Sequence, residues 1–453
     1  MPCRISFITH LELWRKTYDN FIKWIRRLRK NNSNKKHNKK YGDTWFAYST
    51  IKLSREIECL SPCCFHEWWF NTSKCEEFCD EIYSSIKAGF SNLRNDAILD
   101  KGIATFDARV WATLVIKGLS KKDAYELLQK KKKQHGIQIL EQERILLVKN
   151  ERYNYKRNNS DYSPDEVALY QRYQILQKTF LEWLYNIGYF THKISTSCSI
   201  DETTRAIIDS IQWKDKRFSG NSTCIQLEQL KLPKKELQQL DKILNYVRCL
   251  FGDDLIALLV GGSISRNQYI QNWSDMDILL LVRYYSFEQN QQLSGFLKQF
   301  DIKTGYTIFS EYEVENRLID AKSLYSIYAY NSGRITSLLY GAVPSSLSIS
   351  FENLKQKNKM VIPETIHKLK RLLDDGITEQ SQKEIFKLTV LVMKVYLIDT
   401  YNIIPQSYRS VMELFNYLTG VNTIEPNVVT HEYNFSNVKE FSIKVISYVS
   451  NQK

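Results

Sequence analysis

The chain has 453 residues, of which 43% are hydrophobic and 13% aromatic, and this composition excludes a disordered protein. Only 16 glycines and 8 prolines are present, which disfavours a loop-rich or all-β architecture. The N-terminal residues lack the features of a secretory signal, and no run of about 18 apolar residues predicts a membrane span. We therefore expect a soluble, cytoplasmic protein of two or three domains.

The net charge is +13, and much of the surplus lies in the N-terminal half. Residues 24–40 have the sequence WIRRLRKNNSNKKHNKK, and residues 130–133 are four consecutive lysines. A positive surface attracts polyphosphates and nucleic-acid backbones. A solvated face of the protein is an equally good interpretation of these lysines. The charge alone therefore selects no partner.

Five of the nine cysteines lie in one short segment, ECLSPCCFHEWWFNTSKCEEFC. They are Cys59, Cys63, Cys64, Cys75 and Cys79, with His66 between them. Two C-x3-C pairs can supply a tetrahedral thiolate site for zinc, although the spacing is wider than in the usual zinc knuckle. We favour the alternative, in which free thiols pack as small apolar side chains.

The N-terminal half is predicted to be mostly helical, with apolar residues at helical spacing in 1–29 and again across 44–150. Residues 118–132, GLSKKDAYELLQKKK, resemble the turn and second helix of a helix-turn-helix, an element that can bind DNA. Any amphipathic helix that follows Gly-x-Ser shows the same pattern. A polar segment at 154–166 predicts a linker or a helix start.

The C-terminal half combines strands and helices. A helix is predicted over 232–252, and three strands follow at 254–262, 276–282 and 302–310, before helical periodicity returns at 362. We therefore predict an α+β fold in which a small mixed sheet is flanked by a largely helical N-terminal region and a C-terminal helical bundle. The predicted domains are a basic helical domain at 1–160, a helical connector at 161–232, the sheet domain at 233–350 and the bundle at 351–453.

The stretch GGSISRNQYIQNWSDMDILLLV, residues 261–282, joins the first two strands. Alternation along a strand places Asp275 and Asp277 on one face and Met276 on the other. Two adjacent carboxylates repel each other, and a divalent cation such as Mg²⁺, which also binds substrate phosphates, removes that repulsion. Glycines let a backbone approach a phosphate closely, and Ser263 adds a hydroxyl donor. A surface hairpin with solvated aspartates is the alternative, but acids beside LLLV are rarely solvated.

This stretch resembles the signature of the nucleotidyltransferase superfamily related to DNA polymerase β, especially its minimal nucleotidyltransferase branch. Its members show a pattern similar to G-S-x-A-R-G, followed by S-D-[IL]-D-[LI] at the start of the next strand. The matching residues here are Gly262, Ser263, Ile264, Ser265, Arg266 and Asn267, then Ser274, Asp275, Met276, Asp277 and Ile278. Ser265 and Asn267 depart from the pattern. SLLYG at 337–341 and the helices that follow also resemble the superfamily, so that the resemblance covers roughly residues 235–420.

The resemblance implies transfer of a nucleoside monophosphate from a nucleoside triphosphate to an acceptor hydroxyl. Asp275 and Asp277 would hold Mg²⁺ or Mn²⁺, and Gly262 and Ser263 would bind the phosphates. Further nucleotide contacts are implied for Ser274 and for Arg266, although a surface salt bridge is nearly as good an interpretation of Arg266. Lys387 and Lys394 lie on one helix face and either line the pocket or are solvated, and we favour solvation.

One departure concerns the third carboxylate, which such enzymes carry on a following strand to activate the acceptor. The corresponding segment reads DIKTGYTIFSEYE, in which Gly305 occupies the expected position. The candidates are Asp301, before this strand, and Glu311, after it. If neither serves, the chain binds nucleotide without turning it over.

The acceptor is left open among nucleic acid such as tRNA, a protein hydroxyl and a small molecule. A net charge of +13 disfavours cationic small molecules, so we favour the first two. The rival hypothesis is a catalytically degenerate module that senses nucleotide or binds nucleic acid.

Overall fold

The computed structural model divides the chain into two compact units, Met1–Ile211 with Tyr396–Lys453 (unit 1) and Gln212–Val395 (unit 2). The predicted four-domain division stays a prediction. The structure describes residues 5–8, 45–47, 57, 62–91, 97–99, 102–137, 143–148, 164–195, 202–203, 205–207, 224–265, 269, 271, 274–316, 318–320, 323–325, 327, 337–344, 349–405, 407–421 and 437–451.

Unit 1 contains a five-stranded parallel sheet with the spatial order β2-β3-β1-β4-β5. Its strands are β1 (Ile5–Ile8), β2 (Trp45–Ala47), β3 (Ala97–Leu99), β4 (Glu143–Val148) and β5 (His192–Ser195). Its helices are α1 (Pro62–Glu67), α2 (Cys75–Ser91), α3 (Ile103–Ile116), α4 (Lys121–His135), α5 (Pro164–Asn186), α11 (Tyr408–Thr419) and α12 (Val438–Ser450). The prediction of helix across β1 to β4 is therefore wrong, since these segments form a parallel sheet.

Unit 2 contains a four-stranded sheet with the order β8-β7-β6-β9, in which β6 is antiparallel to both neighbours and β7 is parallel to β8. Its strands are β6 (Leu255–Val260), β7 (Met276–Val282), β8 (Thr304–Ser310) and β9 (Ser337–Gly341). Its helices are α6 (Lys234–Phe251), α7 (Phe287–Leu297), α8 (Glu311–Glu315), α9 (Phe351–Asp374) and α10 (Glu379–Tyr401), the last of which continues into unit 1. The predicted α+β fold class, with its small mixed sheet and flanking helices, is confirmed.

Helix α9 begins earlier than predicted. We expected helical periodicity from 362, but the helix starts at Phe351 and contains Pro363 in its interior. Ser350 and Asn353 form a capping box there, which satisfies two of the backbone N–H groups that a helix start leaves unpaired. Among the described helices, none is long and apolar enough to cross a bilayer.

The core of unit 2 lies between α6 and one face of the sheet. Leu240, Ile243 and Val247 recur at helical spacing on α6 and are fully buried, in one cluster with Leu258 and Met276 of the sheet. Burying each such side chain contributes about 1.5–3 kcal/mol relative to exposure. This packing fixes β6 and β7, and with them residues 261–265, which directly follow β6.

Candidate functional site

The site lies where β6 ends and β7 begins. The backbone N–H of Gly261 donates to the carbonyl of Asp277 at 3.0 Å, which holds the turn after β6 against the first residues of β7. Met276 is fully buried, whereas Asp275 and Asp277 are both half-buried. This alternation agrees with the predicted placement of the two carboxylates opposite Met276.

The carboxylate of Asp277 lies between two glycines. A Cβ on Gly262 would approach Asp277 Oδ2 to 2.6 Å, and Gly262 has a φ of +62°, which L-residues rarely adopt. A Cβ on Gly305, the register partner of Asp277 on β8, would lie 3.3 Å from Oδ1. The Ser265 hydroxyl donates to the Gly262 carbonyl at 3.2 Å and closes the turn. The backbone of this turn therefore runs directly against an acidic side chain.

The second carboxylate, Asp275, pairs with a lysine from α10. Lys387 Nζ lies 2.9 Å from Asp275 Oδ2, and the two side chains are 30% and 28% exposed. Partial burial alone would raise the pKa of Asp275, but the hydrogen bond from Lys387 and the charges of Lys303 and Lys383 hold it below its ordinary value. Lys387 is thus a partner of the predicted site, although solvation was favoured for it. Lys394 lies over the Tyr325 ring, 3.6 Å from its centroid.

The third carboxylate is not found on β8, whose sequence TGYTIFS contains no acid. Gly305 stands directly opposite Asp277 in the register of β7 and β8. Asp301 is exposed before the strand and accepts a hydrogen bond from Lys235 at 2.8 Å, which lowers its pKa. Glu311 begins α8, about 20 Å further along the strand direction than Gly305. Asp301 and Glu311 thus lie at the two opposite ends of β8.

Three further residues were predicted to contact the nucleotide, namely Ser263, Ser274 and Arg266. Ser263 is half-buried in the turn after Gly262, and Ser274 is half-buried immediately before Asp275. Arg266 lies outside the described residues. Lys303 and Lys383 were not predicted as part of the site, because no local pattern connects the residue before β8, or a residue of α10, with Asp275.

Asp275 and Asp277 fit the way in which Mg²⁺ is usually bound, by one or two carboxylates together with substrate phosphates. A cage made by the protein alone is not present in the described part of the chain, where no three His, Cys, Asp or Glu side chains converge. The two aspartates are therefore suited to a metal ion that arrives with a phosphate ligand.

The cysteine segment does not fit zinc within the described residues. No three His, Cys, Asp or Glu side chains of the described residues converge as metal ligands. Burial raises the pKa of the Cys79 thiol to about 12, as expected for a thiol packed as a small apolar side chain. Cys64 is exposed and Cys75 is half-buried. Cys59 lies outside the described residues.

The lysine run of α4 is largely neutralised within unit 1. Lys130 lies 3.8 Å from Glu76, Lys131 lies 2.6 Å from Asp80, and Lys132 lies 2.6 Å from Asp107. Lys131 and Lys132 are buried. Three of the four lysines that suggested a nucleic-acid face therefore have acidic partners, and the helix-turn-helix resemblance stays a prediction.

No protein-family model and no curated protein matches the chain. Among solved structures, the chain is similar to the spectinomycin adenyltransferase from Enterococcus faecialis, whose crystal structure contains ATP and spectinomycin. The identity is 14% and the TM-score 0.33, over 47% of this chain and 98% of that one. A function for this chain must therefore be argued from its own residues.

Proposed function

We propose that unit 2 binds a nucleoside triphosphate with Mg²⁺ or Mn²⁺ and transfers its nucleoside monophosphate to an acceptor hydroxyl. The observation that carries this proposal is the contact between Asp277 and the Gly262 turn, where a Cβ would come within 2.6 Å of the carboxylate. A phosphate bound by the turn's backbone N–H groups would share a metal ion with Asp275 and Asp277.

Each residue has a distinct role in the proposed reaction. Gly262 and Ser263 bind the β and γ phosphates, and Ser274 makes a further contact with the nucleotide. Asp275 and Asp277 hold the metal ion, which when bound neutralises charge on the triphosphate. The acceptor oxygen forms a bond to the α-phosphorus, the bond from that phosphorus to the bridging oxygen breaks, and pyrophosphate leaves with the electron pair.

Asp301 is the proposed base that takes the proton from the acceptor hydroxyl. For this role the Asp301 carboxylate must release its hydrogen bond from Lys235 and accept one from the acceptor hydroxyl instead. Nucleic acid and protein hydroxyls are the proposed acceptors, in the cytoplasm, since a net charge of +13 favours anionic partners over cationic small molecules.

A second function, nucleotide binding without transfer, is favoured by Gly305. This glycine occupies the register position opposite Asp277, where a third carboxylate would be closest to the other two. A positioned base contributes about 10²–10⁴-fold to such a reaction. A chain without a positioned base would keep the residues that bind the phosphates and the metal ion, but it would lose most of the rate of nucleotidyl transfer.

The test uses the purified full chain with Mg²⁺ and each α-labelled nucleoside triphosphate, and with total RNA or a cell lysate as acceptor. We expect label transfer that falls at least about 100-fold in Asp275→Ala and Asp277→Ala, because charge on the triphosphate is no longer neutralised. Asp241→Ala, an exposed acid on α6, is the matched control and should keep full transfer.

Gly305→Glu separates the two functions, with Gly305→Gln as its uncharged control. If the wild type binds nucleotide without transfer and Gly305→Glu gains transfer, the second function is correct. Transfer by the wild type that Asp301→Asn abolishes would establish Asp301 as the base. Absence of nucleotide binding in every form would reject both functions.

A further inference from the structure

We propose that the carboxyl ends of β7 and β8 carry a docking surface for an arginine-rich segment of a partner protein. This surface, here called the aromatic surface, consists of Tyr284, Phe287, Tyr312 and Leu318 together with the acids of the segments that carry them. It is separate from the proposed nucleotide site, and the inference does not depend on the proposed function.

The aromatic surface lies at the end of the sheet opposite to the proposed metal ligands. Strands β7 and β8 are parallel, and their last residues, Val282 and Ser310, are register partners. Just beyond them, the Tyr285 hydroxyl lies 3.5 Å from Glu313 Oε1. A strand rises about 3.3 Å per residue, so the two ends of β7 are about 20 Å apart. The segments that follow the two strands therefore lie side by side and away from the nucleotide site.

Four large apolar side chains are exposed in these segments. Tyr284, Phe287, Tyr312 and Leu318 are between 62% and 69% exposed, and they are four of the eight exposed large apolar side chains in the described part of the chain. Phe287 begins α7, and Tyr312 lies in α8. Single exposed apolar side chains are ordinary, but a group of them in one place marks an interaction surface.

The segments at this end of the sheet are rich in acids. Residues 252–254 precede β6 and lie beside the end of β7, since the Arg283 N–H donates to the Asp254 carbonyl at 2.8 Å. Together with 283–288 and 311–318 they contain two arginines, one of which, Arg317, lies outside the described residues. The same three segments contain six acids, namely Asp253, Asp254, Glu288, Glu311, Glu313 and Glu315. The aromatic surface is therefore acidic, although the net charge of the chain is +13.

Aromatic rings and carboxylates are the two kinds of group that bind a guanidinium. An arginine side chain stacks on an aromatic face and pairs with a carboxylate through its N–H groups, whereas a lysine ammonium acts as a point charge. The acids disfavour nucleic acid and anionic lipid as occupants, because both carry negative charge. Arginine is also enriched at protein interfaces. A protein segment that combines arginine with apolar side chains therefore fits this surface best.

Fluorescence anisotropy of a labelled synthetic peptide, titrated with the full chain, tests the inference. The peptide combines arginine and leucine at helical spacing, and two control peptides carry lysine or glutamate in place of arginine. We expect the arginine peptide to bind, the lysine peptide to bind at least about threefold more weakly because lysine does not stack, and the glutamate peptide not to bind. Phe287→Ser and Tyr312→Ser should each weaken binding of the arginine peptide by about fivefold or more, since an aromatic contact is lost.

Met360→Ser is the matched control, because Met360 is an apolar side chain on α9 with a similar exposure of 63%. This variant should bind the arginine peptide as the wild type does. Equal losses in Met360→Ser and Phe287→Ser would overturn the inference, and so would equal binding of the arginine and lysine peptides or no binding of the arginine peptide. Glu315→Gln, at an exposed acid, provides a further variant if circular dichroism shows that a serine variant unfolds, and it should also weaken binding.

Sedimentation of the chain alone distinguishes a second copy from a partner protein. A dimer that Phe287→Ser dissociates would show that another copy of this chain covers the aromatic surface, and would overturn the inference. Phe287→Ser should leave nucleotide binding unchanged, because the nucleotide site lies about 20 Å away along β7. The label-transfer assay therefore decides the proposed function separately.

Discussion

The two units each hold an aspartate against a lysine, but in opposite surroundings. In unit 1, Asp107 lies 2.6 Å from Lys132, and the side chains are 0% and 6% exposed. In unit 2, Asp275 lies 2.9 Å from Lys387, and both side chains keep more than a quarter of their surface exposed. The same chemical pair is therefore sealed in one unit and open in the other.

The sealed pair is also fully hydrogen-bonded. Tyr83 donates to one oxygen of Asp107 at 2.9 Å, and Tyr417 donates to the other at 2.7 Å. Burial, and then the charge of Asp107, raise the pKa of both tyrosines, so their hydroxyls stay protonated and keep donating. The comparison teaches that burial and completed hydrogen bonding make such a pair structural, whereas partial exposure leaves it able to exchange its partner for a ligand.

The largest expected effect comes from breaking the sealed pair. Asp107→Asn leaves the Lys132 ammonium buried without a counter-charge, and we expect a loss of about 3–5 kcal/mol in the free energy of unfolding. Asp275→Asn removes an acid from the open pair and should cost about 1 kcal/mol or less, because water screens the exposed charges. Urea unfolding of the two variants measures both values. Similar losses would show that exposure does not separate the two pairs.

The next effect concerns the turn that holds Asp277. Gly262→Ala imposes a side chain at a φ of +62° and within 2.6 Å of a carboxylate oxygen, and should cost about 1–3 kcal/mol. Because the Asp277 carboxylate is displaced, the Gly262→Ala variant should also lose nucleotide binding in Mg²⁺. Gly305→Ala is the matched variant, with a 3.3 Å approach to the same carboxylate and no positive φ.

We expect Gly305→Ala to change stability by less than about 1 kcal/mol, because no left-handed backbone is strained and the carboxylate can shift slightly. Calorimetry and urea unfolding on both glycine variants make the measurement. Equal costs at the two positions would mean that the backbone of the Gly262 turn adjusts freely, and the turn would then not be the rigid phosphate contact that we propose.

The sequence was informative about the site where the signal is local. The strands β6 and β7 are continuous apolar runs, and the alternation of Asp275, Met276 and Asp277 follows from strand geometry alone. Pairing across sequence is different. Lys387 meets Asp275 across 112 residues, and no periodicity in either segment indicates that contact.

The fold was predictable in unit 2 and less so in unit 1. Four of the five strands of the unit 1 sheet are only three or four residues long, which is too short for a two-residue alternation to be distinguished from helical spacing. The lysine run at 130–133 suggested a positive surface for nucleic acid, and this interpretation failed for a related reason. Its charge is visible in the sequence, but the acids that neutralise it, such as Asp80 and Asp107, come from helices that pack on α4 only in the folded chain.

The smallest expected effect concerns Asp80, whose ion pair with Lys131 is less buried than the sealed pair of unit 1. Asp80 pairs with Lys131 at 2.6 Å and with His135 at 2.8 Å, while its own side chain is 45% exposed. Partial burial alone would raise the pKa of Asp80, but the hydrogen bonds from Lys131 and His135 hold it below its ordinary value. Asp80→Asn should therefore cost less than about 1 kcal/mol at pH 7, because solvent screens the exposed carboxylate and the charge of Glu76 still acts on Lys131 in the variant.

The pH dependence of that cost has a definite sign. A carboxyl whose pKa is lower in the folded chain stabilises the fold above its unfolded pKa of about 3.9, and loses this contribution as the pH falls through the folded value. The difference between wild type and Asp80→Asn should therefore shrink as the pH falls below about 4. Urea unfolding at pH 7, 5 and 3.5 measures it. A difference of several kcal/mol at pH 7 would place Asp80 with the sealed pair, because only a desolvated lysine responds so strongly to the loss of its partner.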